Sequence, residues 1–157
     1  MSKDAVRFVT LHSEGGINCS QAIFSVYGKY FGMPEELAIK TATALGGGMG
    51  GMGKTCGAVT GAFLVLGLTY EIGNPQSRSE VYGLVKEFTR RFIARHGSTN
   101  CTELLGYDMS TEDGMRTIKE KKLTKNICPK LDKSAAEFIE ELLGEKIPGI
   151  TCEKVLK

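Results

Sequence analysis

A segment that is apolar on every side most constrains how this 157-residue chain can fold. The run from Ala58 to Leu68 is broken only by Thr60, Gly61 and Gly67. A helix without a polar face has to be buried, and this run is too short to span a bilayer. We therefore predict a helix that starts at Thr55 and lies at the centre of the fold.

The rest of the chain also has helical periodicity. Apolar residues recur at three- and four-residue steps in segments 22–31, 81–92 and 131–143, and no strand-like alternation of useful length is present. Ser77 with Glu80, and Asn100 with Glu103, predict capped helix starts. The sequence therefore predicts an all-α fold, a single domain over residues 1–157 with about six to eight helices around the buried central helix.

Four of the five cysteines fall where helices are predicted to begin. The pairs are Asn18-Cys19, Thr55-Cys56, Asn100-Cys101 and Cys128-Pro129. Asn and Thr are typical N-cap residues, and proline is favoured in the first helical turn. The partial positive charge of a helix N-terminus stabilises a thiolate. We predict that the four cysteines converge at one site, as catalytic thiols or as metal ligands.

Four thiolates from separate helices suit tetrahedral coordination of zinc or ligation of an iron–sulfur cluster. Dithiol–disulfide cycling is a second interpretation, and four inert buried thiols are a third. The cysteines are separated by steps of 37, 45 and 27 residues, so the chain has no C-x-x-C dithiol and no C-x-x-C-H motif for covalent haem. A non-enzymatic module in which zinc holds the helices together stays open beside the redox interpretation.

A glycine-rich loop, residues 46–53, precedes Cys56 directly. We predict that Gly50, Gly51, Gly53 and Gly57 let the backbone approach a cofactor closely, with tight packing as the alternative. Residues 48–55 also satisfy the phosphate-loop pattern G-x-x-x-x-G-K-[ST]. That motif requires a preceding strand, and residues 39–45 are more typical of helix, so nucleotide binding is a remote alternative.

Taken together, these motifs resemble the C_GCAxxG_C_C family of redox-active proteins. The resemblance lies in segments 16–22, 46–50, 55–62 and 95–106 and in Cys128-Pro129, and it covers most of the chain. It implies a four-cysteine site and redox activity, with an iron–sulfur cluster as a possible cofactor. Some domains of this kind occur with electron-carrying cofactors, notably in split-Soret cytochromes. Cys152 has no counterpart in the pattern, and we interpret it as a surface or tail thiol.

Charge and composition restrict the possible partners. A net charge of +2 gives no reason to expect binding to nucleic acid or to an acidic membrane surface. No signal peptide is visible after Met1, which favours a cytoplasmic location and reduced cysteines. The expected partners are a redox partner protein and, as a possibility, a second copy of the chain.

The central cysteine also allows a prediction about reactivity. Cys56 is predicted at the start of the buried helix, beside the glycine loop and next to Lys54. The helix dipole and this cation lower a thiol pKa, whereas burial raises it. We expect the first effect to dominate and Cys56 to react faster with iodoacetamide than Cys152.

Overall fold

The structure, a computed structural model, describes residues 16–147, and this part of the chain is all-α as predicted. Its regular helices are α1 (Cys19–Gly28), α2 (Glu35–Ala42), α3 (Gly57–Gly67), α4 (Ser77–His96), α5 (Cys101–Leu105), α6 (Glu112–Glu120) and α7 (Leu123–Leu143). Short 3₁₀ turns follow at Lys29–Phe31, Thr43–Leu45 and Gly144–Lys146. Cys152 and the residues that bear on a signal peptide lie outside the described residues.

Helix α3 is the buried central helix that the sequence predicts. Ala58, Val59, Ala62, Val65 and Leu66 have no exposed surface, and α3 packs against α1, α4 and α7. Although α3 is apolar on all sides, no helix within residues 16–147 is both long and apolar enough to cross a membrane.

The close approach of α1 and α3 depends on Gly61. A Cβ atom at this position would lie 3.0 Å from the Ile23 Cβ and 3.0 Å from the Ser20 backbone. These distances are shorter than ordinary van der Waals contact, so a larger residue would force the two helices apart. Glycine therefore fixes the distance between the helix that begins at Cys19 and the helix that follows Cys56.

Helices α4 and α7 are joined by an aromatic cluster and by ion pairs at its edge. The Phe88 ring lies 6.0 Å from the Phe138 ring in an edge-to-face arrangement and 5.9 Å from the Phe92 ring. Arg95 lies 4.3 Å from the centre of the Phe138 ring and 2.5 Å from the Glu137 carboxylate. This packing holds α7, which carries Cys128, against the core.

Three predicted helix starts differ from the structure. Helix α3 begins at Gly57 with Cys56 as its N-cap, because Thr55 is paired with Asn100 in an antiparallel bridge. Helix α4 has no side-chain cap, because the Ser77 hydroxyl accepts a hydrogen bond from the Glu71 N–H at 2.8 Å.

The third error concerns Cys128 and Pro129, which lie inside α7 rather than at its start. Leu123 and Ile127 are partly buried against the core, and they begin an i, i+4 series that Leu131 continues. Burial of this apolar stripe extends the helix on the N-terminal side of the proline, despite the backbone hydrogen bond that Pro129 cannot make.

Candidate thiol site

Helix α1 places Cys19 at its first position. Asn18 caps this helix by accepting a hydrogen bond from the Gln21 N–H at 3.0 Å, and the Gln21 side chain accepts one from the Asn18 N–H at 2.9 Å. This reciprocal capping box was not among the predicted ones, although Asn18 was predicted as the cap. It fixes the helix start, and Cys19 is buried there with 8% of its surface exposed.

Backbone hydrogen bonds hold Cys56 and Cys101 together. The Cys56 N–H donates to the Thr99 carbonyl at 2.8 Å, and the Cys101 N–H donates to the Lys54 carbonyl at 2.6 Å. Both residues lie next to the Thr55–Asn100 bridge, so alternation along the two short segments puts their side chains on the same side of it. The bridge thus ties the start of α3 to the start of α5.

Helix α7 supplies Cys128 and a carboxylate, Asp132, one turn later on the same face. Cys128 is 6% exposed and Asp132 is completely buried. The Cys19 thiol is hydrogen-bonded to Cys128, and this bond is the main reason that the pKa of Cys19 is raised, followed by burial and by the charges of Asp132, Cys128 and Cys56. The structure therefore brings the four predicted cysteines into one buried cluster.

The pKa values of Cys19, Cys56 and Cys101 are raised, so the predicted low pKa of Cys56 is wrong. Burial is the largest cause at Cys56, and the neighbouring charges of Cys101, Asp132 and Cys128 act in the same direction. The Ala58 N–H at the start of α3 lowers the pKa of Cys56, but by less than burial raises it. Burial also raises the pKa of Cys101 to about 11. At neutral pH Cys19, Cys56 and Cys101 are thiols rather than thiolates.

These pKa shifts predict that the reduced protein loses stability in alkaline solution. A cysteine in the unfolded chain titrates near pH ~8.5, whereas the pKa of Cys101 in the folded protein is about 11. Between these values the unfolded chain gives up a proton that the folded chain keeps, so the free energy of unfolding falls as pH rises. Denaturant unfolding with reductant at several pH values measures this slope.

The matched variant for that experiment is Cys101→Ala. Residues that the substitution leaves unchanged are common to both proteins. We expect the free energy of unfolding of the variant to fall less steeply above pH ~8.5. Identical slopes for the two proteins would contradict the raised pKa of Cys101.

Within residues 16–147, no group of three or more His, Cys, Asp or Glu side chains is arranged to hold a metal ion. The four cysteines in this range are free thiols. Zinc and iron–sulfur sites both require several thiolates around one centre. The zinc and iron–sulfur interpretations stay predictions that metal analysis can decide.

A comparison with known protein families matches residues 17–142 to the family described as Putative redox-active protein (C_GCAxxG_C_C). The chain belongs to this family. Searches of curated proteins and of solved structures found no match. The matched range contains the four clustered cysteines and ends before Cys152. Family membership supports redox activity, and the roles of individual residues in this C_GCAxxG_C_C protein have to be argued from its geometry.

The four glycines predicted to contact a cofactor divide into two pairs. A Cβ atom at Gly57 would lie 3.1 Å from the Cys19 Cβ, and one at Gly53 would overlap the Thr102 hydroxyl, so both positions serve close packing. Gly50 and Gly51 have left-handed backbone angles, and no atom lies within 3.5 Å of a Cβ atom built at either position. Cofactor contact at Gly50 and Gly51 stays a prediction.

Residues 48–55 do not form a phosphate loop in this C_GCAxxG_C_C protein. The N–H groups of Gly51, Gly53 and Lys54 donate to carbonyls of residues 46–48 at 2.9–3.2 Å, so they are not free to bind phosphate. A 3₁₀ turn, Thr43–Leu45, precedes the loop where the motif requires a strand. The nucleotide-binding alternative therefore lacks its structural basis.

Two residues of the cluster were missed by the sequence analysis. Asp132 lies four residues after Cys128. This spacing places two residues on the same helix face, but it could be used only if Cys128 had been predicted to lie inside helix α7. The Met109 Sδ lies 3.9 Å from the Cys101 Sγ. No sequence pattern indicates this contact, because Met109 lies in the loop between α5 and α6.

Proposed function

We propose that this C_GCAxxG_C_C protein is a thiol–disulfide redox protein in which Cys19 and Cys128 form a reversible disulfide. The hydrogen bond between these two thiols is the observation that carries the proposal. Sulfur atoms within hydrogen-bond reach need only a small movement to reach the ~2.05 Å of a disulfide bond. The two thiols give two electrons and two protons to the disulfide of a redox partner protein, which becomes a dithiol.

The raised pKa values favour a role as reductant. Proteins that stabilise a thiolate in the reduced state are strong oxidants, because the reduced state is then the favoured one. In this cluster the hydrogen bond to Cys128, burial and the Asp132 charge all raise the pKa of Cys19 and so disfavour its thiolate. We therefore expect a reduction potential closer to the roughly −270 mV of thioredoxin than to the roughly −120 mV of DsbA.

Equilibration in thiol–disulfide buffers tests this function. The protein is purified without oxygen and equilibrated with mixtures of reduced and oxidised dithiothreitol, and its free thiols are alkylated and mapped by mass spectrometry. We expect one disulfide, Cys19–Cys128, with a midpoint near −270 mV. A Cys152→Ser protein is the control, since all four clustered cysteines remain. A midpoint above about −180 mV would contradict the reductant role.

The metal-binding alternative is supported by the gathering of four cysteines in one buried cluster. Metal analysis and ultraviolet–visible spectra of the same anaerobic sample separate it from the dithiol. Iron with labile sulfide would indicate a cluster that serves electron transfer, and one equivalent of zinc would indicate a structural module. Either result would replace the dithiol function proposed above.

A further inference from the structure

A cavity of about 440 Å³ adjoins the backbone that carries Cys101. Its wall includes Asn100 and Thr102, the two neighbours of Cys101 in sequence. It also includes Lys54, whose carbonyl accepts the hydrogen bond from the Cys101 N–H. The volume is in the range of small-molecule sites. Of the four clustered cysteines, Cys101 is therefore the one whose neighbours form this cavity.

The Met109 side chain contacts the Cys101 thiol. Asp108 and Ser110, on either side of Met109, both line the cavity, and the Met109 Sδ lies 3.9 Å from the Cys101 Sγ. Cys101 is only 6% exposed. Neither Cys101 nor Met109 lines the cavity itself, so access of a ligand to Cys101 requires Met109 to move. Methionine is unbranched and changes rotamer readily.

Three charged residues line the cavity: Lys54, Asp108 and Glu103, whose carboxylate accepts a hydrogen bond from the Ser98 hydroxyl. The Asp108 carboxylate accepts hydrogen bonds from the Ser110 hydroxyl at 2.6 Å and from the Ser110 N–H at 2.9 Å. These bonds, with the charge of Lys54, lower the pKa of Asp108, so it is ionised at neutral pH. An ammonium group complements this carboxylate, and a carboxylate complements Lys54. A ligand that carries both groups can therefore pair with Asp108 and Lys54 at once.

We propose that the cavity binds disulfides derived from amino acids or short peptides, with their ammonium group at Asp108 and their carboxylate at Lys54. Cys101 is then the thiol that attacks the bound disulfide. This inference rests on the thiol–disulfide function proposed above and names a class of small substrate for it.

The reaction is balanced within the cluster. The Cys101 thiol loses its proton as its sulfur attacks the disulfide R–S–S–R, and one half of the disulfide leaves as a thiolate that takes up this proton. Cys128, whose charge acts on Cys101, then attacks the Cys101 sulfur and releases the second half as a thiol. Cys19 finally attacks Cys128 and returns Cys101 to its thiol form. Two electrons and two protons pass from Cys19 and Cys128 to the substrate.

The test compares glutathione disulfide, which carries ammonium and carboxylate groups, with the uncharged bis(2-hydroxyethyl) disulfide. The reduced full-length protein is mixed with each, loss of free thiols is followed, and the readout is the ratio of the two rate constants. We expect Lys54→Gln and Asp108→Asn each to lower this ratio about tenfold, since each removes one charge-assisted contact. Lys54→Arg, which keeps the charge, should retain most of the ratio.

Lys86→Gln is the matched control, because Lys86 is an exposed lysine of α4 outside the cavity. Its ratio should equal that of the unchanged protein. Equal ratios for Lys54→Gln, Asp108→Asn and Lys86→Gln would overturn the substrate site, while oxidation by the uncharged disulfide would still support the dithiol function. Failure of both disulfides to oxidise the unchanged protein would overturn the dithiol function as well.

Discussion

The Cys128→Ser protein is expected to lose the reversible disulfide completely. Cys128 is hydrogen-bonded to Cys19, and its charge acts on Cys56 and Cys101. Cys128 is therefore a neighbour of all three other thiols of the cluster. Without this thiol a substrate half bound to Cys101 cannot be released by the next exchange. We expect a stable mixed disulfide at Cys101 after treatment with glutathione disulfide, detected by peptide mass spectrometry.

Serine differs from cysteine by one atom, so this substitution should preserve the packing around α7. A thermal unfolding curve of each reduced protein checks that point. Cys152→Ser, which changes the cysteine outside the matched family range, should keep the wild-type disulfide and midpoint. Two-electron oxidation of Cys128→Ser at the wild-type potential would show that another pair of cysteines carries the redox function.

The second large effect is a loss of stability expected for the Gly48→Ala protein. Gly48 has a φ of +67°, and a Cβ atom there would lie 2.6 Å from the Lys54 nitrogen and 2.8 Å from the Cys101 Cβ. Backbone strain of about 1–3 kcal/mol adds to an overpacking cost of about 1–3 kcal/mol. We therefore expect the free energy of unfolding to fall by about 4 kcal/mol, measured by denaturant titration.

Gly51→Ala separates these two contributions. Gly51 has a φ of +78°, but no atom lies within 4 Å of a Cβ atom built there. In this variant the free energy of unfolding should fall only by the backbone strain, on the order of 1–2 kcal/mol. If the two variants were equally stable, the close contact of the glycine loop with Cys101 would not be a stabilising feature of the fold.

Local sequence patterns predicted the structure correctly where a segment's conformation depends mainly on its own residues. The run of residues 58–68, which lacks a polar face, correctly predicted the position of α3. The predicted cap Asn100 accepts a hydrogen bond from the Glu103 N–H at 3.1 Å at the start of α5. Thr55 was misjudged because its conformation depends on Asn100, 45 positions later in the chain. A capping pattern cannot contain that information.

The pKa values of the clustered thiols were harder to predict than which cysteines form the cluster. The four cysteines were recognised from their predicted places near helix starts and from the family motifs. The pKa of Cys56 depends on a competition between helix dipole and desolvation, and only the 2% exposure of its side chain in the fold shows that desolvation is larger. Asp132 belongs to the cluster because it lies one helical turn after Cys128 in α7. The sequence analysis did not predict this, because it took Pro129 as the first turn of a helix and not as part of the helix interior.

The wide spacing of the cluster along the chain has a consequence for protein synthesis. Cys19 and Cys128 are 109 positions apart, so their contact can form only after most of the chain has left the ribosome. Until then each thiol has the ordinary pKa of an exposed cysteine, near ~8.5, and is more readily oxidised than in the folded protein. Completion of folding is therefore what protects these cysteines from incorrect disulfides, and slow folding in an oxidising environment would lower the yield of active protein.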